Sequence, residues 1–188
     1  MIELIKKIID LFKKSKTKSV EDTSTMEDKN MKHIKQNDVG VKNPIPELGC
    51  FFRCCGLIAE YKTGKSLTVE QINQTWDWAK ATVRIDDKDN IRDSASIATR
   101  FLRLLGDNGR FIEVGLFKDG VSQYYPAFKN TELSRADALI QKVKTNGKYG
   151  THFRVVGKTG VVVEDPHEPA INSKEIFYSI LYAYVAEA

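Results

Sequence analysis

His152-Phe-Arg-Val-Val-Gly157-Lys-Thr-Gly160-Val-Val-Val-Glu-Asp165-Pro166 reads as two β-rich runs around a Gly-Lys-Thr-Gly turn, the pattern of a β-hairpin. A turn centred on Lys158 and Thr159 puts His152 directly opposite Asp165. Direct cross-strand partners have Cβ atoms about 4.5–5.5 Å apart and project from one face. A carboxylate so placed accepts from one imidazole nitrogen and leaves the other to act as a base. The inference hangs on register, since a one-residue slip sends the two side chains to opposite faces.

Upstream of the hairpin the pattern is helical. Cys50 to Tyr61 carries apolar residues on nearly every side and Gly64 is placed to end it, as expected of a buried helix. Thr68-Val-Glu-Gln71 has capping-box form and opens a second helix to about Ala81. Trp76 and Trp78 ride on it, and their spacing keeps them off a common face, so one belongs to the core and the other near a groove. Ser94 to Leu105 reads as a third helix stopped by Gly106. Phe111–Phe117 and Ser122–Phe128 read as strands around Lys118-Asp-Gly120. Thr131 to Lys144 reads as a further helix ended by Asn146-Gly147, and Ser173 to Tyr184 fits either a helix or a last strand. Helices first and an antiparallel sheet afterwards make an α+β domain.

The chain has 188 residues, 41% hydrophobic and 10% aromatic, enough for one folded domain with an extension. Residues 1–14 place apolar side chains on one helical face with Lys6, Lys7, Lys13 and Lys14 off it. Such a basic amphipathic helix docks on protein or lies on an anionic membrane surface. It is too short and too charged to span a bilayer and a poor match to a secretory signal, so the expected location is cytoplasmic, at most peripheral to a membrane. Residues 15–38 carry few apolar residues and no period, and read as a flexible linker before a domain over 39–188. The formal charge is +4, of which residues 1–35 supply +3. The remainder is close to neutral, which argues against nucleic acid as a partner.

Cys50, Cys54 and Cys55 are too few and too clustered for a disulfide framework, and the His spacing completes no zinc knuckle. No phosphate-binding glycine loop is present, so neither metal nor cofactor is expected. Cys50 differs from the other two cysteines. It follows Gly49 and the Asn43-Pro-Ile-Pro46 stretch where a helix begins. A helix N-terminus and a nearby imidazolium favour the thiolate, and the free N–H groups there form half of an oxyanion hole. The plainer alternative is a free cysteine packed as a small hydrophobe. Trp76 and Tyr124 are the expected lining of a substrate groove.

A Gly-Cys opening a buried helix, a late strand beginning with His and a following strand closing in Asp-Pro resemble the papain-like cysteine peptidase superfamily. The likeness is nearest to bacterial double-glycine-leader peptidase domains and small relatives of them. The resemblance covers about residues 39–168. It implies a papain-like α+β fold, with a helical part carrying the Cys packed on an antiparallel sheet carrying His and Asp. It also implies Cys50 as nucleophile, His152 as base and Asp165 as orienter, acting on a peptide or protein substrate. The family places a Gln about six residues before the Cys as an oxyanion donor. Here that position is Pro44, which has no donor, so Asn43 is the expected substitute, while Gln36 requires a longer loop. Two functions follow as expectations. One is a cysteine peptidase or amidase working through a thioester. The other is an inactive papain-like binding module localised by its N-terminal helix.

Overall fold

A computed structural model of the chain describes residues 32–187, except 130, 132–135, 147–149, 158–160, 168, 172 and 174. The expected helix over 1–14, most of the expected linker and the hairpin tip at Lys158-Thr159 lie outside the described residues. Among the described residues four helices come first: α1 (Ile45–Leu48), α2 (Cys50–Thr63), α3 (Val69–Ala81) and α4 (Ser94–Leu104). Six strands follow: β1 (Arg110–Lys118), β2 (Val121–Tyr124), β3 (Ala138–Lys144), β4 (Thr151–Val156), β5 (Val162–Glu164) and β6 (Ile176–Val185). They form one sheet in the order β2-β1-β6-β3-β4-β5, with every neighbouring pair antiparallel. The domain is therefore α+β. Among the described residues no helix is long and apolar enough to cross a membrane.

The helix boundaries follow from local chemistry. Thr68 Oγ1 accepts from Gln71 N while Gln71 Oε1 accepts from Thr68 N, so α3 opens on a complete capping box. Asp93 caps α4 by accepting from Ser96 N. Gly64 ends α2 in the left-handed conformation at φ 65°, which costs glycine nothing.

The sheet buries both faces. Ile140, Val155, Ile180 and Tyr182 pack against the helices, together with Phe52, Trp76 and Phe101. Leu139, Val156, Leu181 and Ala183 form a smaller cluster on the other face, with Tyr124, Phe128 and Ala136 packed against it. The Tyr182 hydroxyl donates to Ser94 Oγ at 2.7 Å, tying the central strand to the start of α4.

Two expectations are corrected, and one left open is resolved. Residues 138–144 are strand β3, not the end of a helix over Thr131–Lys144. Ala, Leu, Gln and Lys favour helix locally, but pairing with β4 and β6 on both sides overrides that preference. The tail that fitted either state is β6. The folded body also starts before Val39, because His33 and Gln36, inside the expected linker, are buried.

Candidate active site

Gly49 lies between α1 and α2 with its carbonyl accepting from Arg53 N, so it caps the helix that begins at Cys50. A Cβ at Gly49 would sit 2.5 Å from Ile45 Cγ2 and 2.6 Å from Ile45 O, so only glycine lets α1 fold this tightly onto α2. That turn leaves Cys50 at the N-terminus of α2 and partly exposed, while Cys54 and Cys55 are fully buried. Burial pushes both of those thiols up, which keeps them protonated. Next to Cys50, the Phe51 ring stacks on Phe153 at 4.5 Å between centroids. The residue after the cysteine therefore holds the residue after the histidine, clamping the start of α2 on β4.

His152 is buried on β4, and its Nε2 donates to Asp165 Oδ1 at 2.8 Å. Cys50 lies close enough to the same imidazole to help raise its pKa. The three expected residues are thus brought together in the order thiol, imidazole, carboxylate. Burial alone would lower the His152 pKa. The Asp165 hydrogen bond, the thiol of Cys50 nearby and the charges of both outweigh it and raise the pKa from 6.5 to about 9. Asp165 is likewise penalised by burial, yet it accepts from His152, from His167 N at 2.8 Å and from Ile171 N at 3.1 Å. These donors hold its carboxyl below the usual range.

The pair does not form through the expected register. The β4–β5 ladder sets Val155 opposite Glu164 and Val156 opposite Val162, with a bulge between. Continuing the first pairing brings His167 opposite His152 and Asp165 opposite Arg154. The rings of His152 and His167 indeed meet edge-on at 6.4 Å. The slip is two residues, which preserves the face, so Asp165 reaches His152 diagonally from just past the strand end.

Asn43, the expected oxyanion donor, is exposed in the turn before α1, and no hydrogen bond links it to the triad among the described residues. Gln36 is the amide that touches both halves of the site. It is buried, its N–H donates to Pro166 O at 2.6 Å, and its Nε2 donates to Pro46 O at 3.0 Å. In an unbroken helix the carbonyl of residue 46 would take the N–H of residue 50, so the Gln36 amide lies beside the backbone of Cys50. Its Oε1 is buried without a hydrogen-bond partner among the described residues. The sequence spacing concealed Gln36, because the intervening chain folds into α1 instead of running straight.

The segment before Gln36 is anchored by a buried ionic cluster. The Glu60 carboxylate accepts from Arg53 Nη2 at 2.6 Å, His33 Nδ1 at 2.9 Å and Leu67 N at 2.7 Å. Arg53 Nε donates to Ile34 O at 2.6 Å. Lys35 completes the strap by pairing with Glu164 and donating to Asp165 O at 2.7 Å.

Trp76 and Tyr124 do not form a groove beside the triad. Trp76 is 4% exposed and packs edge-on against Phe52 at 5.0 Å, inside the core. Tyr124 lies on β2, four strands from β4 in the sheet order. Trp78 is the half-buried one of the two tryptophans. Among the described residues no group of three or more His, Cys, Asp or Glu side chains is placed to hold a metal ion. Comparisons with family models, with curated proteins and with solved structures found no match to this chain.

Proposed function

We propose that the chain is a cysteine peptidase or amidase of papain-like architecture, with Cys50, His152 and Asp165 as its triad. The observation that carries this reading is the His152 ring, bonded to the Asp165 carboxylate through Nε2 and set near the Cys50 thiol. A packing cysteine has no need of an imidazole oriented by a buried carboxylate. The helix-borne thiol and sheet-borne base agree with the papain-like arrangement.

In this mechanism the Cys50 thiolate attacks the carbonyl carbon of a peptide or amide bond, paired with the His152 imidazolium. Negative charge moves to the carbonyl oxygen, where the Cys50 N–H and the second N–H of Gln36 Nε2 receive it. The C–N bond breaks as His152 gives its proton to the leaving amine, and a thioester remains on Cys50. His152 then takes a proton from water, whose oxygen attacks the thioester. Loss of the thiolate releases the carboxylic acid and restores the pair. Asp165 keeps one tautomer and orientation of the ring throughout.

The test combines thiol labelling with turnover. Iodoacetamide on the native protein, read by peptide mass, should label Cys50 and spare Cys54 and Cys55 until unfolding. His152→Ala should lose that labelling near neutral pH. Hydrolysis of a mixed peptide library should vanish in Cys50→Ala. Gln36→Ala should slow it by ~10²–10³ while keeping the labelling, because alkylation develops no oxyanion. Labelling that ignores His152→Ala, or equal slow reaction at all three thiols, would return the chain to an inactive binding module.

A further inference from the structure

A cavity of about 520 Å³ lies away from the triad, lined among others by Trp78 of α3, Arg100 and Arg103 of α4, Arg110 at the start of β1, and Glu187. In the sheet order β1 is three strands from β4, which at ~4.8 Å a step is about 14 Å. The volume is in the range of small-molecule sites, about 300–1,000 Å³.

Its charge is unusual for this chain. Arg100 and Arg103 are three apart on one helix, so they share a face, where like charges repel. Arg110 joins them from the sheet, and none of the three can shed its proton. Three other arginines meet acids, Arg53 with Glu60, Arg84 with Asp93 and Arg92 with Asp86, while Arg154 donates to Gln141. Here Glu187 is the one carboxylate in the lining, 3.5 Å from Arg103 across a largely exposed pair. Among the described residues the side chains of Arg100 and Arg110 have no carboxylate partner, and Arg100 Nε is buried without a hydrogen bond. The Arg100 guanidinium lies 5.6 Å from the centre of the Trp78 ring, which holds it at the cavity wall. Three guanidiniums and one carboxylate leave two positive charges facing a partly open cavity. A dianionic group with several acceptor oxygens matches both the charge and the planar donor forks.

We propose that this cavity binds a small phosphorylated molecule, its phosphate gripped by Arg100, Arg103 and Arg110. Because Trp78 lines the cavity, binding reports itself in tryptophan fluorescence. The full chain is titrated with inorganic pyrophosphate, inorganic phosphate and citrate at constant ionic strength. The expected result is a saturable change, with pyrophosphate binding more tightly than citrate. Arg103→Gln and Arg110→Gln, exposed positions on separate elements, should each weaken pyrophosphate by about tenfold with the melting temperature kept. Trp78→Phe should lose the signal change while calorimetry still records binding. No saturable change up to ~10 mM pyrophosphate, or binding as tight as the parent's in both arginine variants, overturns the proposal. Tighter binding of citrate overturns the phosphate assignment in favour of a polycarboxylate.

Discussion

His152 is held above the ordinary histidine value, at about 9, and Asp165 below the ordinary carboxylate value. These shifts carry opposite pH dependences. The contribution of His152 to stability is fully present below about 6.5 and is lost as pH rises through about 9. The contribution of Asp165 is present above about 3.8 and is lost as pH falls through its depressed value. Both are complete between these limits. An NMR titration of the His152 ring should therefore show a midpoint near 9, and in Asp165→Asn that midpoint should fall well toward 6.5. A midpoint unmoved by Asp165→Asn would mean that the carboxylate does not govern the imidazole. Cys50, His152 and Asp165 were legible because each stands at a local landmark: a helix start after Gly49, a strand start and a strand end before Pro166. Gln36 was not legible, since its place beside Pro46 and Pro166 is a matter of tertiary path.

At the scale of elements, α2 does two jobs. Its first turn presents Cys50, and its second and third turns bury Arg53 and Glu60, which bind the strap that carries Gln36. Burial disfavours the Glu60 carboxylate, but Arg53, His33 and the Leu67 N–H together hold its pKa below the ordinary value. Removing one partner of such a pair leaves a buried charge uncompensated, at a cost of roughly 3–5 kcal/mol. Glu60→Gln should lower the urea midpoint accordingly, and the double change Arg53→Met with Glu60→Leu should be milder than Glu60→Gln alone. Equal stability of Glu60→Gln and the parent would remove the cluster as an anchor. The helices were readable because caps and stops are local: Thr68 and Gln71 close their box within four residues. Strand β3 was not, because Ala138-Leu-Ile-Gln-Lys-Val-Lys144 has both faces covered and so shows no clean alternation.

For the whole molecule, the telling feature is that the domain begins inside a polar stretch. His33, Lys35 and Gln36 reach Glu60, Glu164, Pro46 and Pro166, so this short strap laces α2 to the end of β5. A chain starting at Lys32 keeps these contacts, whereas one starting at Val39 loses them all. The longer chain should melt clearly higher than the shorter, and only the longer should keep Cys50 selectively reactive. Identical melting of the two would show that the strap contributes nothing to the fold. The sheet order sets the distances between sites: β4 carries the histidine near one edge, while β1, toward the other, borders the arginine-lined cavity.

By itself, the sequence determined what short-range physics settles: the helix ends at Gly64 and Thr68, the α+β order of elements and the places of Cys50, His152 and Asp165 at a helix start, a strand start and a strand end. Capping, turn chemistry and a thiol at a helix start depend on neighbours a few positions away. Only the tertiary structure decided that 138–144 is a strand, that Asp165 meets His152 diagonally, that Trp76 is core and that Gln36 bonds Pro46 and Pro166. Each of these depends on which distant segment packs alongside, and burial on both faces of the sheet erases the periodicity that would have announced it.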